Sequence, residues 1–211
     1  MKEQTYGNPD ASMVLIQLTD EHESIDSEAA EISRLTGRDF CLLALPVADW
    51  NTDLSPWPSP AVFGKEGFGG GAEKTLAEVL KRTEDRSRTF IIGGYSLSGL
   101  FALWAAHRTD VFAGVAAASP SVWFPGFVDG FMRGGACRAE AVYLSLGDME
   151  PKTRNPVMST VGNRIREAHE LLKERGIRTV LEWNPGNHFT DADIRTARAF
   201  AWVLNAIGGE K

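Results

Sequence analysis

The chemistry this chain could perform begins with a serine in a tight turn. Gly94-Tyr95-Ser96-Leu97-Ser98-Gly99 is entered from the apolar run Phe90-Ile91-Ile92 and left through Leu100-Phe101-Ala102-Leu103-Trp104-Ala105-Ala106. The pattern predicts a strand, a sharp turn and a helix, with Ser96 at the tip. A hydroxyl raised there stands above a sheet edge, beside the free N–H groups of a helix N-terminus, and both suit attack on a carbonyl. Small residues flank the serine because the turn leaves no room for large ones. Ser98 stands where the G-x-S-x-G pattern has glycine. The plain alternative is that Ser96 only caps the helix.

A serine hydroxyl is a weak nucleophile until a base takes its proton, and the base is usually a histidine oriented by a carboxylate. The chain has four histidines. His22, His107 and His169 fall near the first strand, at a helix end and within a helix, and read as surface or capping residues. His188 lies in Asn184-Pro185-Gly186-Asn187-His188-Phe189, between the last predicted strand and the terminal helix. Two carboxylates, Asp148 and Glu150, follow the strand before it in Gly147-Asp148-Met149-Glu150-Pro151. Serine, acid and histidine then occur in the chain order of the α/β-hydrolases.

The elements that must position these groups are legible as alternation. Apolar runs predict strands at Met13–Leu18, Phe40–Pro46, Thr89–Gly93, Gly114–Ala118, Ala141–Leu146 and Thr179–Trp183. Helical spacing falls at Ser27–Leu35, Ala72–Arg82, Leu97–His107, Pro156–Arg175 and Asp191–Ala206. Several strands are continuously apolar, as expected when both sheet faces are covered. The expected architecture is therefore α/β: a mostly parallel sheet of about six strands with helices on both faces, in a single domain over residues 1–211. Hydrophobic residues at 43% and charged residues at 24% can fill such a core. A net charge of −6 argues against nucleic acid or an anionic membrane as the main partner. The N-terminus carries no apolar signal core, and Cys41 and Cys137 read as buried free thiols, so a cytoplasmic location is expected.

Residues 47–71 hold Pro56, Pro58, Pro60, Trp50 and Trp57, and end in a glycine cluster. The stretch is too long for a simple connection and follows a strand's carboxyl end, where ligands bind in α/β sheets. It is expected to form a rim or lid, with Trp50 and Trp57 either walling the substrate or anchoring the loop to the core. The run Gly64–Thr75 contains Gly67-Phe68-Gly69-Gly70-Gly71-Ala72 and Lys74-Thr75, but no strand precedes it and Glu73 stands where a phosphate loop needs glycine. The histidines and cysteines have no metal-ligand spacing. No cofactor or metal is expected.

Gly94–Leu103, Phe112-Ala113-Gly114 and Ala117-Ala118-Ser119-Pro120-Ser121-Val122-Trp123 together resemble the esterase group of α/β-hydrolases that includes enterochelin (siderophore) esterases, feruloyl esterases and esterase D-like enzymes. Leu144–Glu150 and Gly186–Phe189 are similar to its acid and histidine regions, and the similarity runs from about Arg88 to the C-terminus. The resemblance implies an α/β-hydrolase fold and hydrolysis of a carboxylic ester by Ser96, His188 and an acid, with Glu150 preferred to Asp148. It implies an oxyanion hole made by the backbone N–H of Leu97 and one from the loop after the first strand, Thr19 or Asp20. It implies a small-molecule ester as partner and Trp123 as a wall of the site. A thioesterase or amide hydrolase would use the same three residues, whereas a non-catalytic relative that only binds a ligand would be expected to have lost one of them.

Overall fold

Burial on both faces decides the strands. In the computed structural model, which describes residues 3–207, almost every residue of β2 (Met13–Thr19), β6 (Thr89–Tyr95), β7 (Phe112–Ala118) and β8 (Ala141–Gly147) is buried. Between β2 and β6 the chain forms α1 (Asp26–Thr36), β3 (Cys41–Pro46), the short α2 (Trp50–Asp53), a two-residue hairpin of β4 (Pro58–Ser59) with β5 (Phe68–Gly69), and α3 (Ala72–Leu80). The four-residue β1 (Gln4–Gly7) precedes β2. Helix α4 (Leu97–Arg108) follows β6, a π-helical turn (Phe127–Met132) follows β7, and α5 (Val161–Glu174), β9 (Arg178–Asn184) and α6 (Ala192–Ile207) close the chain.

The seven strands run in the order β1-β3-β2-β6-β7-β8-β9, and all are parallel except β1, which pairs antiparallel with β3. The chain builds outward from β2 to β3, then crosses to β6 and builds the other way. Strand order therefore reverses between β2 and β6, the place where α/β sheets open a crevice at their carboxyl ends. Ile32 of α1 and Phe200 and Val203 of α6 pack with Leu15, Ile91 and Ala116 on one sheet face. Leu76, Leu100, Phe101, Ile165 and Leu172 from α3, α4 and α5 pack with Ile16, Ile92, Val115 and Val142 on the other.

The six expected strands and five long helices are all present, with ends moved by one or two residues, except that regular α5 begins at Val161 after a 3₁₀ turn at Met158–Thr160. The seventh strand, β1, lay outside the expectation because Gln-Thr-Tyr-Gly is short, mostly exposed and polar, with no periodic signal. Residues 47–71 carry more order than the sequence suggests: Asp49 caps α2 by accepting the Thr52 N–H. Among the described residues no helix is long and apolar enough to cross a membrane. Cys41 is buried, Cys137 half-buried, and both are free; burial raises both thiols above their usual range.

Candidate active site

Ser96 sits at the junction of β6 and α4 with φ 58 and ψ −120, a left-handed conformation that a non-glycine residue holds only when its surroundings enforce it. Gly94, at φ 151, makes the turn possible, since a Cβ there would collide with Ser98 Oγ. Ser98 explains its own presence in place of glycine: its buried hydroxyl donates to Leu18 O at 2.8 Å. That bond ties the serine turn to the end of β2, where the crevice opens. Ser96 makes no side-chain cap bond to α4. Its hydroxyl instead lies 3.1 Å from His188 Nε2 and 3.2 Å from Ser121 Oγ.

The relay continues through the imidazole. His188 Nδ1 is 2.8 Å from Glu150 Oε2, and Glu150 Oε1 accepts from the Gly147 N–H at 2.7 Å and from Ser119 Oγ at 2.9 Å. These bonds fix both carboxylate oxygens, which is what a group must have if it is to hold one imidazole tautomer. The three side chains come from the carboxyl ends of β6, β8 and β9, brought together by the sheet and not by sequence proximity. Asp148, the other candidate acid, points elsewhere: its Oδ1 accepts the Gly186 N–H at 2.9 Å and anchors the histidine loop.

That loop has two further anchors which sequence patterns did not mark. Tyr95 OH donates to His188 O at 2.7 Å, and burial holds its phenol above the usual range, so it stays a protonated donor. Arg195, 1% exposed, donates to Pro185 O at 2.8 Å, Asn187 O at 3.1 Å and Tyr95 OH at 3.2 Å, and its guanidinium is 3.5 Å from Glu150 Oε1. The one available signal was the spacing of Arg195 with Ala199, one turn apart on the apolar side of α6.

At the β2 end, Leu97 opens α4, so its N–H has no acceptor inside the helix. Thr19 ends β2 and is buried; the Asp20 N–H already donates to Glu23 Oε2 at 3.1 Å. Trp123 lies in a cleft with His188. Trp57 does not: its Nε1–H donates to Pro125 O at 3.1 Å, and its ring meets Phe124, Phe127 and Phe131 at 5.6, 6.4 and 5.9 Å. Trp50 is half-buried against the core. Residues 47–71 reach Trp123 instead through Phe63 and Phe68, with ring centroids 5.9 and 6.1 Å away. Of the other histidines, His107 is buried, with Nδ1 2.8 Å from Leu103 O, and burial lowers its basicity. Among the described residues no group of three or more His, Cys, Asp or Glu side chains could hold a metal ion.

No protein-family model matches the chain, and no curated protein matches it in sequence. Solved structures do. An IroE-like serine hydrolase from Shewanella oneidensis aligns with a TM-score of 0.73 at 14% identity, over 95% of this chain and 74% of its own. A siderophore hydrolase from Aspergillus nidulans, EstA, gives 0.62 at 19% identity, covering 95% and 85%. The enterobactin esterase FES from Shigella flexneri gives 0.69 at 12% identity over 97% of this chain, which spans 55% of that enzyme. The fold is that of the α/β-hydrolases.

Proposed function

We propose that the protein is a serine hydrolase that cleaves carboxylic esters through an acyl-enzyme. The observation that carries this reading is the continuous relay from Ser96 Oγ to His188 Nε2 at 3.1 Å and from His188 Nδ1 to Glu150 Oε2 at 2.8 Å. The strained serine backbone adds to it, because a residue serving only as a cap has no need of φ 58. The fold is shared with a serine hydrolase, a siderophore hydrolase and an enterobactin esterase, which favours ester hydrolysis as the reaction.

In the first half-reaction Ser96 Oγ attacks the ester carbonyl as His188 Nε2 takes its proton, and Glu150 balances the imidazolium. The oxyanion is held by the Leu97 N–H and a second N–H from Thr19 or Asp20, the latter once the Glu23 carboxylate releases it. Each such donor is worth about 10²–10³ in turnover. His188 then protonates the departing alcohol. Water, deprotonated by the same imidazole, cleaves the acyl-enzyme and regenerates Ser96. Every proton moves between named side chains, substrate and water. Trp123 walls the site, and residues 47–71 form its rim through Phe63 and Phe68.

Hydrolysis of p-nitrophenyl esters of graded acyl length by the wild type and by Ser96→Ala tests the reading. Activity in the wild type that falls by about 10⁶ in a variant of unchanged circular dichroism is expected. Equal activity in both proteins would remove Ser96 from the reaction.

A further inference from the structure

Sheet order separates the two sides of Ser96. The loop after β2 lies on one side of β6 and, in the reading above, completes the oxyanion hole with the Leu97 N–H, while His188 and Glu150 arrive from the β8 and β9 side. In the tetrahedral intermediate the oxyanion must face the first set and the leaving oxygen must face His188 Nε2. The alcohol half of the ester therefore lies over the loops that follow β7, β8 and β9.

Those loops line an open cavity of about 220 Å³ whose walls include Trp123, Met149, Met158, Val161 and Phe189. Among the described residues its only ionisable lining groups are His188 and Glu150, both engaged with each other. Phe189 is 89% exposed and Met149 45%, although neither fills any part of the core. Phe189 stands edge-on to the His188 ring, centroids 5.5 Å apart. Its backbone is held by its own N–H donating to Asn187 Oδ1 at 2.9 Å. Beside the base, Phe189 thus presents a large apolar surface to whatever enters the cavity. The volume is below the roughly 300–1,000 Å³ of drug-sized pockets, and corresponds to one ring or a few carbons.

Resting on the serine-hydrolase reading above, we infer that this cavity is the alcohol subsite, that it takes a small uncharged apolar alcohol such as a benzylic one, and that Phe189 determines this specificity. The ring closes on Phe189 and Trp123 edges and faces, with the polarisable methionines filling the remainder. A carboxylate-bearing alcohol would lose its hydration among Trp123, Met149, Met158 and Phe189 with no hydrogen-bond donor from those side chains aimed at it in return.

The test is kcat/KM for methyl, butyl, benzyl and carboxymethyl acetates, which share one acyl group, and for ethyl esters of lengthening acids, which share one alcohol. The expected result is a rise of about tenfold or more from methyl to benzyl acetate, with the carboxymethyl ester poorest. In Phe189→Ala the loss should grow with alcohol size, reaching about tenfold for benzyl acetate, and stay level along the acyl series. Rates indifferent to the alcohol, or a Phe189→Ala loss equal for every ester, would overturn the inference while fluorophosphonate labelling of Ser96 kept the hydrolase reading intact. Absence of both labelling and hydrolysis would overturn the two together.

Discussion

Replacing Glu28 with glutamine should change how stability depends on pH. Glu28 lies on α1 at 3% exposure, with Oε2 accepting from Gln17 Nε2 at 3.3 Å and Oε1 without a hydrogen-bond partner among the described residues. Burial, reinforced by the nearby charges of Glu23 and Asp193, pushes its carboxyl from 4.5 up to about 8. Glu23 beside it is raised as well, again mainly by burial. Between those two pH values the folded protein keeps a proton that the unfolded chain has released. Stability is therefore fully present below pH 4.5 and is lost as pH rises towards 8, by up to about 1.4 kcal/mol per pH unit. Over pH 5 to 8 this one group should cost about 3 kcal/mol. Glutamine keeps the shape and the pairing with Gln17 but cannot ionise. Urea denaturation of both proteins at pH 5 and pH 8 should show Glu28→Gln gaining about 3 kcal/mol on the wild type between the two conditions. Any fixed cost of the amide cancels in that difference. A gap between the two proteins that stays constant to within about 1 kcal/mol would refute the reasoning.

Two further expectations concern the support of the relay. Arg195→Met leaves Pro185 O, Asn187 O and Tyr95 OH without their donor, and removes the cation 3.5 Å from Glu150. Urea denaturation should register a loss of about 3–5 kcal/mol. Arg195→Lys should recover little of it, because one ammonium cannot span those acceptors. Glu150→Gln should lower kcat/KM by about 10³–10⁴, since the amide can present its N–H₂ to the imidazole and select the wrong tautomer. Asp148→Asn keeps an acceptor for the Gly186 N–H and should change kcat/KM less than about threefold, so the pair of variants separates the two carboxylates.

What could be read in advance follows from how each feature is encoded. Continuous apolar runs and helical spacing mark buried parallel strands and their covering helices, because burial on both faces demands them. The relay residues were legible because each lies directly after a strand, and parallel strands put all their carboxyl ends on one edge. Arg195 and the anchoring role of Tyr95 were not, because a buried arginine on an amphipathic helix looks like any solvated one, and a tyrosine beside the serine like any spacer, until their acceptors are known. Those acceptors belong to residues 8 to 100 positions away in the chain. The tryptophans of residues 47–71 show the same limit. Composition marks Trp57 as an anchor or a wall, and only the Pro125 bond and the three phenylalanine contacts show which neighbours it has. Phe189 carries no periodic signal, because its exposure follows from a loop geometry that local sequence does not dictate.

The central claim is that Ser96 is an activated nucleophile. Intact-protein and peptide mass spectrometry after treatment with a fluorophosphonate tests it without any assumption about the natural ester. A single stoichiometric adduct on Ser96, absent from Ser96→Ala and strongly slowed in His188→Ala, is the predicted result. No adduct, or an adduct on another residue with Ser96 untouched, would contradict it.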